Sequence, residues 1–178
     1  MTCEQRYPPE GLVPYESAWS DRYAAIAGAI ESTLGPIWTV EHVGSTSVPG
    51  MLAKPVIDIA VRVPAGQHLE GWVPAFRALG WTDPIKIGDH QTMFVLKGTV
   101  RTTIAHVFTS EQWAEAHVRL FAAWLRAHQA DRGTYARLKK DLLVQGTWGS
   151  DYTQAKSAFV ENIVNRARAA RGLAPVIL

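Results

Sequence analysis

Apolar residues recur at helical spacing in several parts of the chain and predict a helix in each. The clearest case spans residues 15–34, where Trp19, Tyr23 and Ile26 share one face and Gly35 follows the last turn. Similar patterns predict helices over residues 67–79, 110–128, 135–144 and 150–169. Ser110 is a favourable N-cap for the helix over residues 110–128, and Gly133 separates that helix from the next one.

Runs of apolar and β-branched residues predict four strands, over residues 37–43, 55–63, 92–97 and 100–108. The last two form an antiparallel hairpin around Gly98. The order of elements indicates an α+β fold, with a small mixed β-sheet, flanking helices and a C-terminal helical bundle. The length of 178 residues fits a single domain over residues 1–178, in which residues 1–14 form a loose N-terminal segment.

A turn rich in glycine and hydroxyl residues follows the first predicted strand. Gly44 has no Cβ, so another backbone or a phosphate can approach it closely. Ser45, Thr46 and Ser47 add hydroxyl groups beside successive backbone amides, and such amides can form a concave anion site. The turn is therefore a candidate phosphate-binding site. The alternative is a tight turn that needs glycine only for its backbone conformation.

Asp58 lies in the second predicted strand, among apolar neighbours. Because side chains alternate along a strand, Asp58 shares a face with Ala60 and Arg62, opposite a wholly apolar face. A carboxylate in such surroundings is unfavourable unless it is paired or bound to a metal, so Asp58 is a candidate Mg²⁺ ligand. The alternative is a structural salt bridge to Lys54 or Arg62.

Four cationic residues are candidates for binding phosphate. Lys139 and Lys156 each follow a tyrosine by four residues, so each lysine shares a helix face with an aromatic ring. A lysine on such a stripe either neutralises phosphate in a cleft or extends its charge to solvent past a covered stem. Lys54 precedes the strand of Asp58, and Arg101 lies in the predicted hairpin, where it either reaches a phosphate or stays on the surface.

The block from His42 to Asp58 resembles the GrpB-like family, a branch of the nucleotidyltransferase superfamily. That superfamily is marked by Gly-Ser, a spacer, and two acids on the next strand. Gly44-Ser45 and Asp58 match this pattern, and Ala60 replaces the second acid. The resemblance extends over roughly residues 15–168 and includes the helical segments 121–128, 135–139 and 152–156.

The resemblance implies a cleft between sheet and bundle that binds a nucleoside triphosphate, or another phosphorylated small molecule, with Mg²⁺. It implies nucleotidyl transfer to a small acceptor, with Asp58 holding the metal and His42 or His106 acting as a base or orienting group. The family typically carries His-x-His where this chain has Ile104 and His106. Since residues 90–110 contain no acid, we expect a single weak Mg²⁺ site and no two-metal centre.

The missing second acid keeps two alternatives to nucleotidyl transfer open. One is a catalytically reduced family member that binds a nucleotide or a phosphorylated metabolite and transfers nothing. The other is a ligase or cyclase that acts on a small metabolite in the same cleft. Fold alone does not decide among these functions, because one fold supports many chemistries.

Composition and charge limit the classes of partner that we expect. The net charge is +2 and no long basic run occurs, so we expect no nucleic-acid partner. No apolar segment approaches the ~20 residues that span a bilayer, and the N-terminal residues lack the apolar core of a secretory signal, so we expect no membrane partner. Cys3 is the single cysteine, which fits a cytoplasmic protein. No histidine or cysteine cluster has the spacing of a zinc site, and the oligomeric state leaves no signal in the sequence.

Overall fold

Five strands and six α-helices make up the fold in this computed structural model, which describes residues 8, 11–147 and 149–178. The strands are β1 (Thr39–Val43), β2 (Ile57–Arg62), β3 (Ile85–Ile87), β4 (His90–Lys97) and β5 (Val100–Phe108). The α-helices are α1 (Ala18–Leu34), α2 (Val73–Ala78), α3 (His117–Ala127), α4 (Gln129–Val144), α5 (Gly149–Ala155) and α6 (Ser157–Ala169). Short 3₁₀ helices span Ser45–Ser47, Leu69–Trp72 and Trp113–Glu115. Most of the segment 1–14, which we expected to be loose, lies outside the described residues.

The strands form one mixed sheet in the order β1-β2-β5-β4-β3. β2 and β5 are parallel, and the other neighbouring pairs are antiparallel. This arrangement confirms the predicted α+β class and the small mixed sheet. β3 was not predicted, because its three exposed residues carry too short a pattern to distinguish a strand from a loop.

One face of the sheet packs against α1 and α2. Ile57 and Ile59 of β2 point to this face and are at most 2% exposed. They belong to the same buried cluster as Trp19 of α1 and Phe76 of α2. Because a shift of one residue would turn Asp58 into this cluster, burial of the apolar face fixes the register of β2.

The opposite face of the sheet carries Asp58 and Ala60 and is covered in part by α3. Ala60 and Phe108 lie in a buried cluster at this contact. A separate cluster, which includes Leu120 and Ile163, forms the core of the C-terminal helical bundle. The face of β2 that holds Asp58 therefore looks toward the bundle.

The helix predicted over residues 110–128 begins later, at His117. Ser110 is not its N-cap, because the Ser110 hydroxyl donates to the carboxylate of the next residue (2.7 Å). Thr109 and Gln112 instead form a capping box, in which the Thr109 amide donates to Gln112 Oε1 (3.0 Å) and the Gln112 amide donates to Thr109 Oγ1 (3.3 Å). The Thr-x-x-Gln pattern is the sequence signal for this turn.

The break between α3 and α4 falls at His128, and the prediction of a break at Gly133 is wrong. Gly133 lies within α4, where a single glycine costs roughly 1 kcal/mol relative to alanine and is tolerated. His128 has an extended backbone, with φ −119° and ψ 94°. Its ring stacks on Trp124 at 3.7 Å between centroids, and its Nδ1–H donates to the Trp124 carbonyl (2.9 Å). This stacking ends α3.

The remaining helices are shorter than predicted. The segment over residues 150–169 is two helices, because Lys156, with φ −90° and ψ −13°, separates α5 from α6. The segment over residues 67–79 is a 3₁₀ turn followed by the short helix α2. Among the helices that the structure describes, none is both long and apolar enough to cross a membrane.

Candidate functional site

The turn after β1 is a short 3₁₀ helix that begins at Gly44. Gly44 has φ +65° and ψ −173°, a conformation that is essentially restricted to glycine. The Ser47 hydroxyl donates to the Gly44 carbonyl (2.7 Å) and closes the turn. Thr46 is 1% exposed and its hydroxyl is hydrogen-bonded to His42 Nε2 (3.0 Å), whereas Ser45 lines a pocket. The predicted hydroxyl residues therefore separate into one that faces a cavity and two that hold the turn.

Three lysines converge on Ser45 and Asp58 in a pocket of about 280 Å³. Lys54 reaches the pocket from the segment before β2, Lys139 from α4, and Lys156 from the break between α5 and α6. The remaining wall residues are Leu12, Val56, Ile104, His106, Tyr152 and Thr153. We call this cavity the lysine pocket. It lies between the sheet and the C-terminal helices, where the cleft was expected.

Lys139 is enclosed within the protein and is only 2% exposed. Its Nζ donates to Ser45 Oγ (3.1 Å) and to the Leu52 carbonyl. The ammonium group also lies 4.8 Å from the ring centroid of Tyr135. These contacts hold the charge inside the pocket, so Lys139 is not a lysine that extends its charge to solvent.

Lys54 and Lys156 share one aromatic ring. The Nζ atom of each lies 4.2 Å from the ring centroid of Tyr152, which is 1% exposed. A cation over an aromatic face is attracted by the ring quadrupole. Tyr152 therefore holds two ammonium groups near each other at one wall of the pocket.

Burial lowers the pKa of all three lysines, and repulsion between lysines lowers the pKa of two of them further. Burial, the largest cause, lowers the pKa of Lys54 and Lys139 to about 7 and that of Lys156 to about 8. Repulsion from Lys156 lowers the pKa of Lys54 and of Lys139 further. The Asp58 carboxylate raises the pKa of Lys54 and Lys156 and offsets part of the effect. An anion in the pocket would act in the same direction as Asp58, because it favours the charged ammonium.

Asp58 has no acidic neighbour on its own strand at the position where the superfamily carries one. Ala60 occupies that position, is 0% exposed, and packs against Phe108 and Trp113 in an apolar cluster. Asp58 Oδ1 lies 3.6 Å from His106 Nε2, and the side chain of Asp58 is 25% exposed. Among its described wall residues, the pocket thus offers a metal one accessible carboxylate beside a histidine.

Glu41 is a candidate to replace the missing acid, since it is the Cα partner of Ala60 across β1 and β2. Both of its carboxylate oxygens are engaged by Arg119, at 2.6 Å from Nη2 and 2.8 Å from Nε. A bidentate pair of this kind is strong and geometrically specific. Glu41 therefore serves a structural contact between β1 and α3.

His42 lies behind the turn, on the α1 side of the sheet. Its ring stacks on Tyr23 with centroids 4.9 Å apart, and it is the Cα partner of Ile59, whose side chain enters the core of that side. Burial lowers the pKa of His42 to about 4, so its imidazole is neutral. Because it is bonded to Thr46, His42 positions the turn from behind and does not line the lysine pocket.

Arg101 lies beside the lysine pocket and does not form its wall. Its guanidinium carbon is 4.3 Å from the ring centroid of Phe94. The residue lines a neighbouring cavity together with Pro55 and Lys97. Of the predicted phosphate-binding cations, the structure therefore brings the three lysines together and places Arg101 next to them.

His106 is joined to a second histidine that sequence reasoning missed. His106 Nδ1 and His90 Nε2 are hydrogen-bonded (3.0 Å), and His90 Nδ1 lies 3.1 Å from Asp89 Oδ1. Burial lowers the pKa of His90, and it lowers that of His117, which also faces Asp89, to about 4. The proximity of His90 to His106 follows from the pairing of β4 with β5. Thr92 pairs with His106, and His90 lies two residues before Thr92, on the same face of β4.

Comparison with known proteins establishes the family. Residues 10–166 match the family model described as GrpB protein. The chain belongs to the GrpB family. The GrpB-family chain is 38% identical over 161 residues to UPF0157 protein BH1888 of Halalkalibacterium halodurans, covering 89% of this chain and 82% of that protein. It is 35% identical over 163 residues to UPF0157 protein SCO7215 of Streptomyces coelicolor, covering 90% and 86%.

Solved structures extend the comparison to the fold. The crystal structure of the conserved protein GrpB from Enterococcus faecalis matches with a TM-score of 0.75 and 27% identity, covering 90% of this chain and 99% of that one. Terminal uridylyl transferase 4 from Trypanosoma brucei, with bound dUTP, matches with a TM-score of 0.56 and 15% identity, covering 92% and 57%. The second similarity shows a shared fold. The GrpB-family chain thus has the predicted nucleotidyltransferase-like fold.

Proposed function

We propose that this GrpB-family chain binds the phosphate groups of a nucleoside triphosphate, or of another phosphorylated small molecule, in the lysine pocket, with one weakly held Mg²⁺ ion at Asp58. The observation that carries the proposal is the convergence of Lys54, Lys139 and Lys156 on one hydroxyl group and one carboxylate. Charge-assisted hydrogen bonds from ammonium groups to phosphate are among the strong ones. Mg²⁺ binds through one or two carboxylates together with substrate phosphates, which is what Asp58 and a bound polyphosphate would supply.

The size of the pocket supports a phosphate ligand. A volume of about 280 Å³ lies just below the ~300–1,000 Å³ typical of small-molecule sites, which favours a compact group. The polyphosphate end of a nucleotide fits such a space, with the nucleoside directed outward. The shared fold with a uridylyl transferase that binds dUTP supports the same class of ligand.

We propose further that the chain binds this ligand without nucleotidyl transfer, although the family resemblance implies transfer. Two-metal phosphoryl chemistry clamps the attacking and leaving oxygens between ions about 3.5–4 Å apart, which requires more than one carboxylate. Ala60 is buried beneath α3, and Glu41 is bound to Arg119. Neither position supplies a second metal ligand, so the site suits binding better than transfer.

The proposed partner is a small molecule in the cytoplasm. A net charge of +2 provides little of the electrostatic attraction on which nucleic-acid binding depends. The positive charge of the site is instead concentrated in a small cavity, where it selects a compact anion.

Calorimetric titration with ATP, UTP and pyrophosphate, each with and without Mg²⁺, tests the binding proposal. We expect one site per chain and an affinity that falls at least about ten-fold, or ~1.4 kcal/mol, in Lys139→Met. Lys140→Met is the matched control, since Lys140 is the next residue of α4 and is exposed. It should bind like the wild type, and melting curves without ligand should show that both variants are folded.

Two outcomes would overturn the proposal. If none of the three ligands binds to the wild type, or if Lys139→Met and Lys140→Met bind equally, the lysine pocket does not hold phosphate. Steady release of pyrophosphate from ATP or UTP with a panel of small alcohol and amine acceptors, abolished by Asp58→Asn, would show that the chain transfers nucleotides after all.

A further inference from the structure

A second group of ligating side chains lies on the same sheet face, at the far end of β4 from the hairpin. Asp89 precedes β4, His90 is the first residue of β4, and His117 is the first residue of α3. One ligand atom from each lies within 4.8 Å of the other two. We call these three residues the histidine cluster. His117 lies 27 residues after His90, which explains why no zinc-ligand spacing was visible.

We propose that the histidine cluster binds a divalent transition-metal ion of the zinc class, through an Asp89 carboxylate oxygen and the Nδ1 atoms of His90 and His117. Zinc–ligand bonds of about 2.0–2.2 Å in a tetrahedral site place ligand atoms roughly 3.4 Å apart. Asp89 Oδ1 lies 3.1 Å from His90 Nδ1 and 4.0 Å from His117 Nδ1. These two separations lie on either side of that distance, and the ligand atoms of the three residues all lie within 4.8 Å of one another, so side-chain rotation closes the site around an ion.

The ring of His117 provides an independent indication. Its Nδ1 atom is buried and has no hydrogen-bond partner in the part of the chain that the structure describes. A buried polar atom without a partner is costly, and a metal is one way to satisfy it. The ring packs edge-on against His90 at 5.2 Å and Phe108 at 6.0 Å between centroids.

The hydrogen-bonded chain from Asp89 through His90 and His106 to Asp58 can carry its protons in either of two directions when both rings are neutral. If His90 Nδ1–H donates to Asp89, then His90 Nε2 must accept from His106 Nδ1–H. A neutral His106 would then present an unprotonated Nε2 to the Asp58 carboxylate 3.6 Å away, which is repulsive.

A metal on His90 Nδ1 reverses this chain. His90 then carries its proton on Nε2 and donates to His106 Nδ1, and His106 Nε2–H points at Asp58. Every contact in this chain is then favourable while both rings are neutral. A metal-ligating histidine typically donates a hydrogen bond from its second ring nitrogen, as His90 would do here. The metal would thereby also orient the His106 side chain that lines the lysine pocket.

The surroundings leave room for an external ligand. Three protein ligands leave a fourth position for water or another group. The side chain of Asp89 is 65% exposed, and the histidine cluster forms one wall of a cavity of about 730 Å³. Gln112 Nε2 donates to the Asp89 carbonyl (2.7 Å) and steadies the loop at this opening.

Titration of chelator-treated protein with Zn²⁺ and with Co²⁺ tests the proposal. We expect one ion per chain, and a visible absorption of bound Co²⁺ typical of low coordination number. His117→Gln and Asp89→Asn should each weaken Zn²⁺ binding at least 10-fold. Glu111→Gln is the control, because Glu111 is exposed and lines the same cavity outside the histidine cluster. His106→Asn should weaken binding about 10–100-fold, as loss of a supporting hydrogen bond does.

Asp58→Asn separates this site from the lysine pocket, since it removes the proposed Mg²⁺ ligand and none of the three zinc ligands. Zn²⁺ stoichiometry should be unchanged in that variant. The proposal is wrong if wild-type protein takes up no stoichiometric Zn²⁺ or Co²⁺, or if binding survives in both His117→Gln and Asp89→Asn. Either result would leave phosphate binding in the lysine pocket to be judged on its own titrations.

Discussion

A Cβ atom on Gly44 would lie 2.7 Å from Cβ of Asp58, closer than real side chains approach each other. Gly44 and Asp58 thus touch across β1 and β2 in a way that only glycine permits, because Asp58 is the direct partner of the residue before Gly44. The Gly-Ser turn and the carboxylate are therefore one packed unit. This contact positions Ser45 and Asp58 on the same pocket.

Gly44→Ala should destabilise the fold and disturb Asp58 together. We expect a loss of roughly 1–3 kcal/mol from the backbone conformation alone, and more from the contact with Asp58. Gly98→Ala is a control for the positive φ: Gly98 has φ +64°, against +65° for Gly44, and a Cβ there would meet nothing within 4 Å. Denaturant unfolding of both variants measures the difference. Equal losses would mean that the contact with Asp58 is unimportant.

Asp58→Asn should separate phosphate binding from metal binding. Without Mg²⁺, the carboxylate repels a bound phosphate, so its removal should strengthen binding of pyrophosphate to the three lysines. With Mg²⁺, the wild type should gain affinity and the variant should gain none. Asp151→Asn is the control, because Asp151 is exposed and adjoins Tyr152 without lining the pocket. Calorimetric titrations at both Mg²⁺ levels provide the measurement.

If Asp58 serves only in a structural salt bridge, Asp58→Asn should lower stability more than it changes the response to Mg²⁺. Removing one partner of a buried pair leaves an unpaired charge and lowers stability strongly, by about 3–5 kcal/mol. If Asp58→Asn unfolds at markedly lower denaturant concentration while its Mg²⁺ response persists, Asp58 has a structural role and the metal-ligand assignment is wrong.

The regular elements were predictable from sequence because a helix or strand with one buried face has apolar residues at regular spacing. β5 begins and ends where its apolar pattern does, and α1 differs from its prediction only at its first turn. The break between α5 and α6 at Lys156 could not be predicted, since no glycine or proline marks it in the sequence. The end of α3 depends on the contact of His128 with Trp124, which a search for helix breakers does not detect.

The candidate site was predictable residue by residue and not as an arrangement. Lys139 and Lys156 were recognisable as lysines on apolar stripes, but their convergence with Lys54 depends on how three separate segments pack. The role of His90 depends on a contact across β4 and β5. The cover over Ala60 comes from α3 and was not visible in the pattern of β2.

Lys156→Met should reduce affinity for a triphosphate more than for a monophosphate. Lys139 is bonded to Ser45 inside the pocket, whereas Lys156 stands with Lys54 at the Tyr152 wall. A longer phosphate chain reaches both groups of cations, and a single phosphate needs only one. We expect at least a ten-fold loss for ATP, or ~1.4 kcal/mol, and a smaller loss for AMP. Equal losses for AMP and ATP would contradict an extended phosphate chain in this pocket.

Phosphate binding should take up protons, and its affinity should fall as pH rises. The pKa of Lys54 and Lys139 is about 7 and that of Lys156 about 8, all lowered from 10.5 chiefly by burial. A bound anion favours the protonated lysines and raises each pKa, so the complex holds more protons than the free protein between pH 7 and 10. Affinity is therefore highest below pH 7 and is lost as the lysines deprotonate.

ATP at pH 8 to 9.5 is a suitable probe of this linkage, because the last ionisation of a phosphate group, near pH 6, is complete in that range. We expect affinity to fall by up to about ten-fold per pH unit for each proton taken up. Titrations in two buffers with different ionisation enthalpies count those protons directly. Lys140→Met should show the same dependence as the wild type, and Lys156→Met a shallower one, because one of the coupled lysines is gone. An affinity that does not change from pH 8 to 9.5 would show that the three lysines do not contact the phosphates.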